Sequence, residues 1–412
     1  MKSKILVLSH FYFPETGAAS IRMQSFVSAL KESNYSVQVI APHPNYPQGK
    51  VYSGYEKLFI KDRVSNTTYL PILFTRNKNV IGRLFSYLSY FVSSLFYAVF
   101  SKFKPDIVVS SSPPIFTALV GLIVAKIRSA KFILDIRDIW PDIGVQLGII
   151  KSCAGLFILE KIEKLLLNKS DIVVVTTEGD KKNIVSKGIQ HDKIKVIFNG
   201  ADTTIFKPLD TSNKINIKKK SGIPTDKKII TYFGSFNFGM NDLEILSEVL
   251  QQMQSKKDIF HFISIGEGNI KKDFLDKIKD KINYTDFPSL ATHDVAEIVS
   301  ISDLVLIPRK KIETNTGGNV PVKSYESLAA GVPCILSVNE NDESSEIFAD
   351  KEFVILIRAG EVSDLKEALQ TSLRMENLEE LGKKGREFVI QNFDRKKQSE
   401  KLVKIIEELE KS

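Results

Sequence analysis

Cysteine is scarce, with only Cys153 and Cys334 in 412 residues. The two lie far apart in apolar surroundings, which excludes a disulfide framework and any Cys-based metal spacing and points to a reducing compartment. The five histidines, His10, His43, His191, His261 and His293, show no ligand spacing of the HExxH kind. No repeat recurs at solenoid periods. The net charge is +8, but no RNA-binding or zinc-finger signature accompanies it, so nucleic acid is not an expected partner. The apolar run after Lys4 ends at His10 and Pro14. That is too short for a signal peptide and reads as a first β-strand.

Long apolar runs are also few. Leu84 to Ser101 carries no charged residue and is long enough to raise the question of a membrane span. Ser86, Ser89, Ser93 and Ser101 fall roughly on one helical face, and Arg76, Lys78, Arg83, Lys102 and Lys104 flank both sides, leaving no positive-inside asymmetry. The expectation is a helix over about 79–104 that packs on a sheet or lies on an anionic membrane surface, rather than one that spans.

What is present is an ordinary globular balance, 43% hydrophobic and 26% charged, which excludes disorder and a multi-span membrane protein. The length exceeds one hydrophobic core and predicts two domains of roughly 200 residues. Short apolar runs with room for a helix between them recur in both halves: ILVLSH, SVQVIAP, DIVVSSSPP, KFILDIRD and DIVVVTT, then KIITYFGS, FHFISIGEG, DLVLIPR and GVPCILS. These are strands buried on both faces, as in parallel α/β sheets with helices on each side. The expected division is an N-terminal domain over 1–200, a C-terminal domain over 201–385 and a helical region over 386–412 that reaches back to the first domain.

In such sheets ligands bind beyond the carboxyl ends of the strands, where loops and helix N-termini offer N–H groups. The loop after the first strand holds Gly17, Ala18, Ala19 and Ser20, small enough for close approach, before a helix carrying Arg22. In the second half, Gly234 and Ser235 follow one strand, and Gly266, Glu267 and Gly268 the next. The richest segment runs Gly317-Gly318-Asn319-Val320-Pro321-Val322-Lys323-Ser324-Tyr325-Glu326. A Gly-Gly turn leads to Pro321 at the expected first helical position. Lys323 in the first turn is suited to neutralising phosphate, and Glu326 one turn on to accepting from a ribose diol; a solvated ion pair between them is the plain alternative. Arg22, and His43 and Asn45 in the Pro-His-Pro-Asn loop, are candidates for lining an acceptor. Asp135, Asp138 and Asp142 raise a metal site as a minor alternative.

PVKSYESLAAGVP resembles the KxxEyxAaGxP signature of family-four retaining glycosyltransferases of the GT-B fold. FPETGAASIRM, PHPNYPQGKVYSGY, SSSPPIFTALVG, LDIRDIWPD and NGADTTIFKP resemble segments of enzymes building O-antigen and capsule, particularly the N-acetylfucosaminyltransferase-like subgroup. The resemblance implies two Rossmann-like parallel-sheet domains facing a central cleft, with the nucleotide-sugar donor on the second and a lipid-linked saccharide acceptor on the first. It puts Lys323 at the diphosphate, Glu326 at the ribose, and the segment Gly318, Asn319, Val322 and Ser324 around the donor. The Gly234 and Gly266 loops border phosphate and base, and Gly17 closes on the diphosphate. It also implies metal-independent transfer, with no cofactor, at a cytoplasmic membrane face. Two positions depart from the pattern: Gly318 stands eight residues before Glu326, where many relatives have a Glu, and Arg137-Asp138 replaces a His-Asp pair.

Breaking a bond to a nucleoside diphosphate puts negative charge on the leaving phosphate, so cations there should dominate catalysis, with Lys323 first and Arg309 behind it. Asp138 is the candidate for positioning or deprotonating the acceptor, beside Arg137. The competing readings are a nucleotide-sugar 2-epimerase and a non-catalytic subunit that keeps the fold.

Overall fold

The computed structural model describes residues 2–45, 52–73, 80–146, 150, 152–237, 239–312 and 320–411. The chain divides into two compact units, Met1–Asn199 with Lys396–Ser412, and Gly200–Arg395. Near-continuous apolar strands lie in the middle of each, because both faces of their sheets are covered.

The strands of the first unit are β1 (Lys4–Leu8), β2 (Ser36–Pro42), β3 (Ile60–Asp62), β4 (Thr67–Leu70), β5 (Ile107–Ser112), β6 (Lys131–Ile136), β7 (Ile172–Val175) and β8 (Ile194–Val196). They form one sheet in the order β3-β4-β2-β1-β5-β6-β7-β8, parallel except where β3 meets β4. Successive side chains go to opposite faces: Ile5 and Val7 enter one core, Leu6 and Leu8 the other. Helices Val80–Phe100, Ile115–Arg128 and Cys153–Lys169 cover the second face. Helices Ala18–Glu32 and Arg395–Lys411 cover the first, the latter through Leu402, Val403, Ile405 and Ile406.

The second unit holds β9 (Lys228–Phe233), β10 (Phe260–Ile265), β11 (Tyr284–Phe287), β12 (Leu304–Ile307), β13 (Cys334–Val338) and β14 (Val354–Arg358). Every pairing is parallel, in the order β11-β10-β9-β12-β13-β14. Counted within the unit this is the doubly wound order, and its direction reverses between β9 and β12. The crevice beyond the ends of those two strands is where that topology admits a ligand.

Two expectations shift. Pro321 is the N-cap, with helix Val322–Ala329 starting one residue later; its fixed φ sets the entry angle from outside the helix. The helical region expected from Arg386 is two helices, Leu378–Asn392 and Arg395–Lys411. They are separated where Ala201 pairs with the chain, its N–H on the Phe393 carbonyl and its carbonyl taking the Arg395 N–H, both at 2.9 Å. The Val80–Phe100 helix packs Tyr90 and Ala98 into the core, and among the described residues no helix is long and apolar enough to cross a membrane.

Candidate active site

Beside the reversal of the second sheet, Gly234 follows β9 and Gly266 follows β10, both at positive φ (+139° and +135°). The two loops are stacked without room for side chains. A Cβ on Gly266 would stand 1.9 Å from the Gly234 carbonyl oxygen, and one on Gly234 would meet the Lys323 ammonium at 2.3 Å. Gly266 is therefore required by close approach to backbone as well as by φ, and Gly234 by φ, since the flexible end of Lys323 can give way. Alanine at Gly266 should lower the thermal midpoint by several degrees, because strained backbone alone costs about 1–3 kcal/mol. Alanine at Gly239, whose added Cβ meets nothing within 4 Å, should leave it unchanged; differential scanning calorimetry on the two variants checks this.

Lys323 stands in the first turn of helix Val322–Ala329. Its ammonium donates to Asn241 Oδ1 at 3.2 Å and lies 4.6 Å from the centre of the Tyr232 ring. Among the described residues no carboxylate is within ion-pair distance of it. Desolvation pushes its pKa down to about 7, opposed by Glu326 and aided by the Arg309 charge. A lysine in this state gains most when an anion arrives beside it. Glu326 lies one turn on; burial raises its pKa, and Arg395 and Lys323 oppose the rise. Arg395 Nη2 sits 3.3 Å from Glu326 Oε1 and also donates to the Gly200 carbonyl at 3.0 Å.

The other residues expected around a donor are near but differently employed. Arg309 is buried and ion-paired with Asp342 at 2.5 Å, so it acts on Lys323 through its field. Ser324 is buried and returns its hydroxyl to the Pro321 carbonyl at 2.7 Å. Ser235 holds the loop, its Oγ accepting from Asn237 and its carbonyl from Tyr232 Oη. Glu267 is exposed, and its carbonyl accepts the Phe236 N–H at 2.9 Å. Val322 is half-buried at the helix start. Gly318 and Asn319 lie outside the described residues.

The first unit carries the residues expected on the acceptor side. Arg137 and Asp138 follow β6. Arg137 donates to Ser111 Oγ at 3.0 Å and to the Pro113 carbonyl, and faces the Phe11 ring at 5.6 Å. Burial pushes the Asp138 carboxyl up, with Arg137 opposing. Arg22 is 3% exposed and turned inward. It pairs with Asp135 at 2.8 Å and donates to the Ile197 carbonyl at 2.8 Å and Asn199 at 3.3 Å. Asp142 pairs with Lys187 at 2.9 Å, so Asp135 and Asp142 are each engaged by a cation. Gly17 is the N-cap of the Ala18–Glu32 helix. His43 is buried, and Asn45 donates its N–H to Glu15 at 2.8 Å, tying the loops after β1 and β2 together.

Sequence reasoning misses four neighbours. Lys271 is buried and donates to the carbonyls of Gly266 and Phe287 at 2.6 and 2.7 Å, with Asp286 at 3.0 Å, bolting the loops after β10 and β11. Its place three residues after Gly268 is a usable signal. Asn241 and Arg395 have none, being far from Lys323 and Glu326 along the chain. His10, after β1, is packed edge-on by Phe11, Tyr87 and Tyr90 at 5.0–5.2 Å. Burial, aided by the Arg137 charge, pushes its pKa down to about 3 and keeps it neutral.

Residues 17–200 match the family described as Glycosyl transferase 4-like domain, and residues 213–388 that described as Glycosyl transferases group 1. A relative from Escherichia coli named as a colanic acid biosynthesis glycosyl transferase, WcaI, is 23% identical over 84% of this chain and 85% of its own. In fold, the chain is similar to a sucrose-phosphate synthase from Thermosynechococcus elongatus, with TM-score 0.74, 14% identity and coverage of 98% and 99%. It is also similar to HepE from Anabaena, solved in complex with UDP, with TM-score 0.68, 15% identity and coverage of 98% and 100%.

Proposed function

This chain is a glycosyltransferase of the GT-B fold, a 4-like domain joined to a group 1 domain, and from that premise we propose that it moves a sugar from a nucleoside-diphosphate donor to a lipid-linked saccharide with retention of anomeric configuration. The donor in this reading is a UDP-linked N-acetyl amino or deoxyamino sugar, and the product belongs to a bacterial surface polysaccharide. UDP in the similar HepE and the colanic acid role in the name of the E. coli relative support the donor class and the setting.

One observation carries the proposal: the Lys323 ammonium rests on the Gly234 loop at a helix N-terminus, desolvated and without a carboxylate partner among the described residues. A diphosphate placed there meets a cation and the positive end of a helix dipole, beside glycines that put no side chain in its way. Glu326, steadied at Oε1 by Arg395, takes the ribose hydroxyls. As the glycosidic bond breaks, the leaving phosphate gains charge where these groups already point, and the same phosphate takes the acceptor's proton on the face it leaves. Asp138 orients the acceptor hydroxyl.

Cations of the protein fill the role a divalent ion plays elsewhere, so transfer should persist within twofold in excess EDTA. The governing experiment is a nucleotide-sugar panel read first by thermal stabilisation and then by release of free nucleoside diphosphate with a membrane acceptor fraction. UDP-sugars should raise the midpoint, because a ligand that binds only the folded state stabilises it. No stabilisation by any member, or strict dependence on added metal, overturns the corresponding part of the reading.

A further inference from the structure

We propose that the three helices covering one face of the first unit's sheet form a docking surface for an anionic lipid bilayer. Helices Val80–Phe100 and Cys153–Lys169 flank Ile115–Arg128, which touches both. The first buries Tyr90 and Ala98 and turns Leu84, Phe85, Leu88, Val92, Phe96 and Phe100 outward. Five of these recur every fourth residue, a single stripe along the helix. Phe96 is 67% exposed, and its ring stands 4.7 Å from that of Phe100. Ile127, exposed on the middle helix, and Phe157, Ile158 and Leu165 on the third continue the apolar surface.

The charges around this surface choose its occupant. Lys102, Lys104, Lys126, Lys161 and Lys164 are exposed on or beside the three helices. The helices contain two acids, Glu160 and Glu163, and the latter is paired with Lys187 at 2.7 Å. Lys161 lies over the Phe157 ring at 5.1 Å, so cation and apolar anchor share one position. A second copy docked about a twofold axis would set this basic rim against itself. A bilayer with anionic headgroups answers both features at once, taking the aromatic and aliphatic side chains into the headgroup boundary while the lysines meet phosphate. The helices lie flat on it, since their opposite faces are occupied by the sheet. This surface belongs wholly to the first unit and does not depend on the donor assignment.

The test uses the full chain in co-sedimentation with vesicles of phosphatidylglycerol and phosphatidylethanolamine, beside vesicles of phosphatidylcholine alone. Partitioning to the anionic vesicles should exceed that to the neutral ones at least tenfold and fall with added salt. Phe96→Glu with Phe157→Glu should abolish the excess, and each of Lys161→Gln and Lys164→Gln should lower it about fivefold. These side chains are exposed, and an unchanged thermal midpoint in the same preparations reports that the fold stands. Equal partitioning to both vesicle types, or variants that bind within twofold of the parent, overturns the proposal. So does a dimer in sedimentation velocity that Phe96→Glu dissociates, which would make the face a contact between copies.

Discussion

Lys323→Ala should lower kcat/KM about 30-fold or more, because removing a preorganised cation from a developing charge costs about 2 kcal/mol or beyond. Most of the loss should fall in kcat, since the phosphate carries more charge in the transition state than in the bound donor. The ammonium contributes only when protonated, and its pKa in the empty site is about 7. Linkage then sets the sign. Below that value donor affinity should be level, and above it affinity should fall, by up to about tenfold per pH unit, until the pH reaches the higher pKa that the bound diphosphate imposes. Isothermal titration with UDP at several pH values, on parent and variant, reads this directly. The slope should vanish in Lys323→Ala. Transfer within threefold of the parent, or an identical slope in both proteins, removes Lys323 from the phosphate.

Arg22→Ala should destabilise the first unit by about 3–5 kcal/mol, the cost of leaving a buried carboxylate without its partner. Asp135 is fully buried and has Arg22 as its ion-pair partner. Replacing the pair together, Arg22→Met with Asp135→Leu, should recover most of that loss, because an apolar pair of similar volume needs no desolvation. Trp140, the single tryptophan, belongs to this unit, so its fluorescence in a urea titration reports the right transition. An Arg22→Ala protein of parental stability that had lost transfer would return Arg22 to the acceptor, where its place beside the small-residue loop first suggested it.

Much of the architecture is legible before any coordinate, and for one reason: a strand buried on both faces leaves a run that no surface segment imitates. Ile5 to Leu8 and Phe260 to Ile265 are such runs. Strands β3 and β8 escape because three residues carry no period, and β11, Tyr-Thr-Asp-Phe, because half of it is polar. The loops after β9 and β10 are legible through glycine, whose absence of a side chain is needed wherever two backbones nearly touch. Arg395 is not, since its partner Glu326 lies 69 positions away and only the turn of the chain at Phe393 brings them together. Arg22 misleads for a related reason. A charged residue that faces a ligand from the start of a helix and one that neutralises a buried Asp look alike in sequence, and only the fold separates them.

The return of the Arg395–Lys411 helix to the first unit also reverses the order in which the protein can mature on the ribosome. Leu402 and Ile406 share a core with Met23, Phe26 and Val39, so the half that is translated first keeps an open flank until this helix has been made. The half translated second has all of its own strands by then and can close ahead of it. The opening segment must wait, uncapped, for a partner made hundreds of residues later.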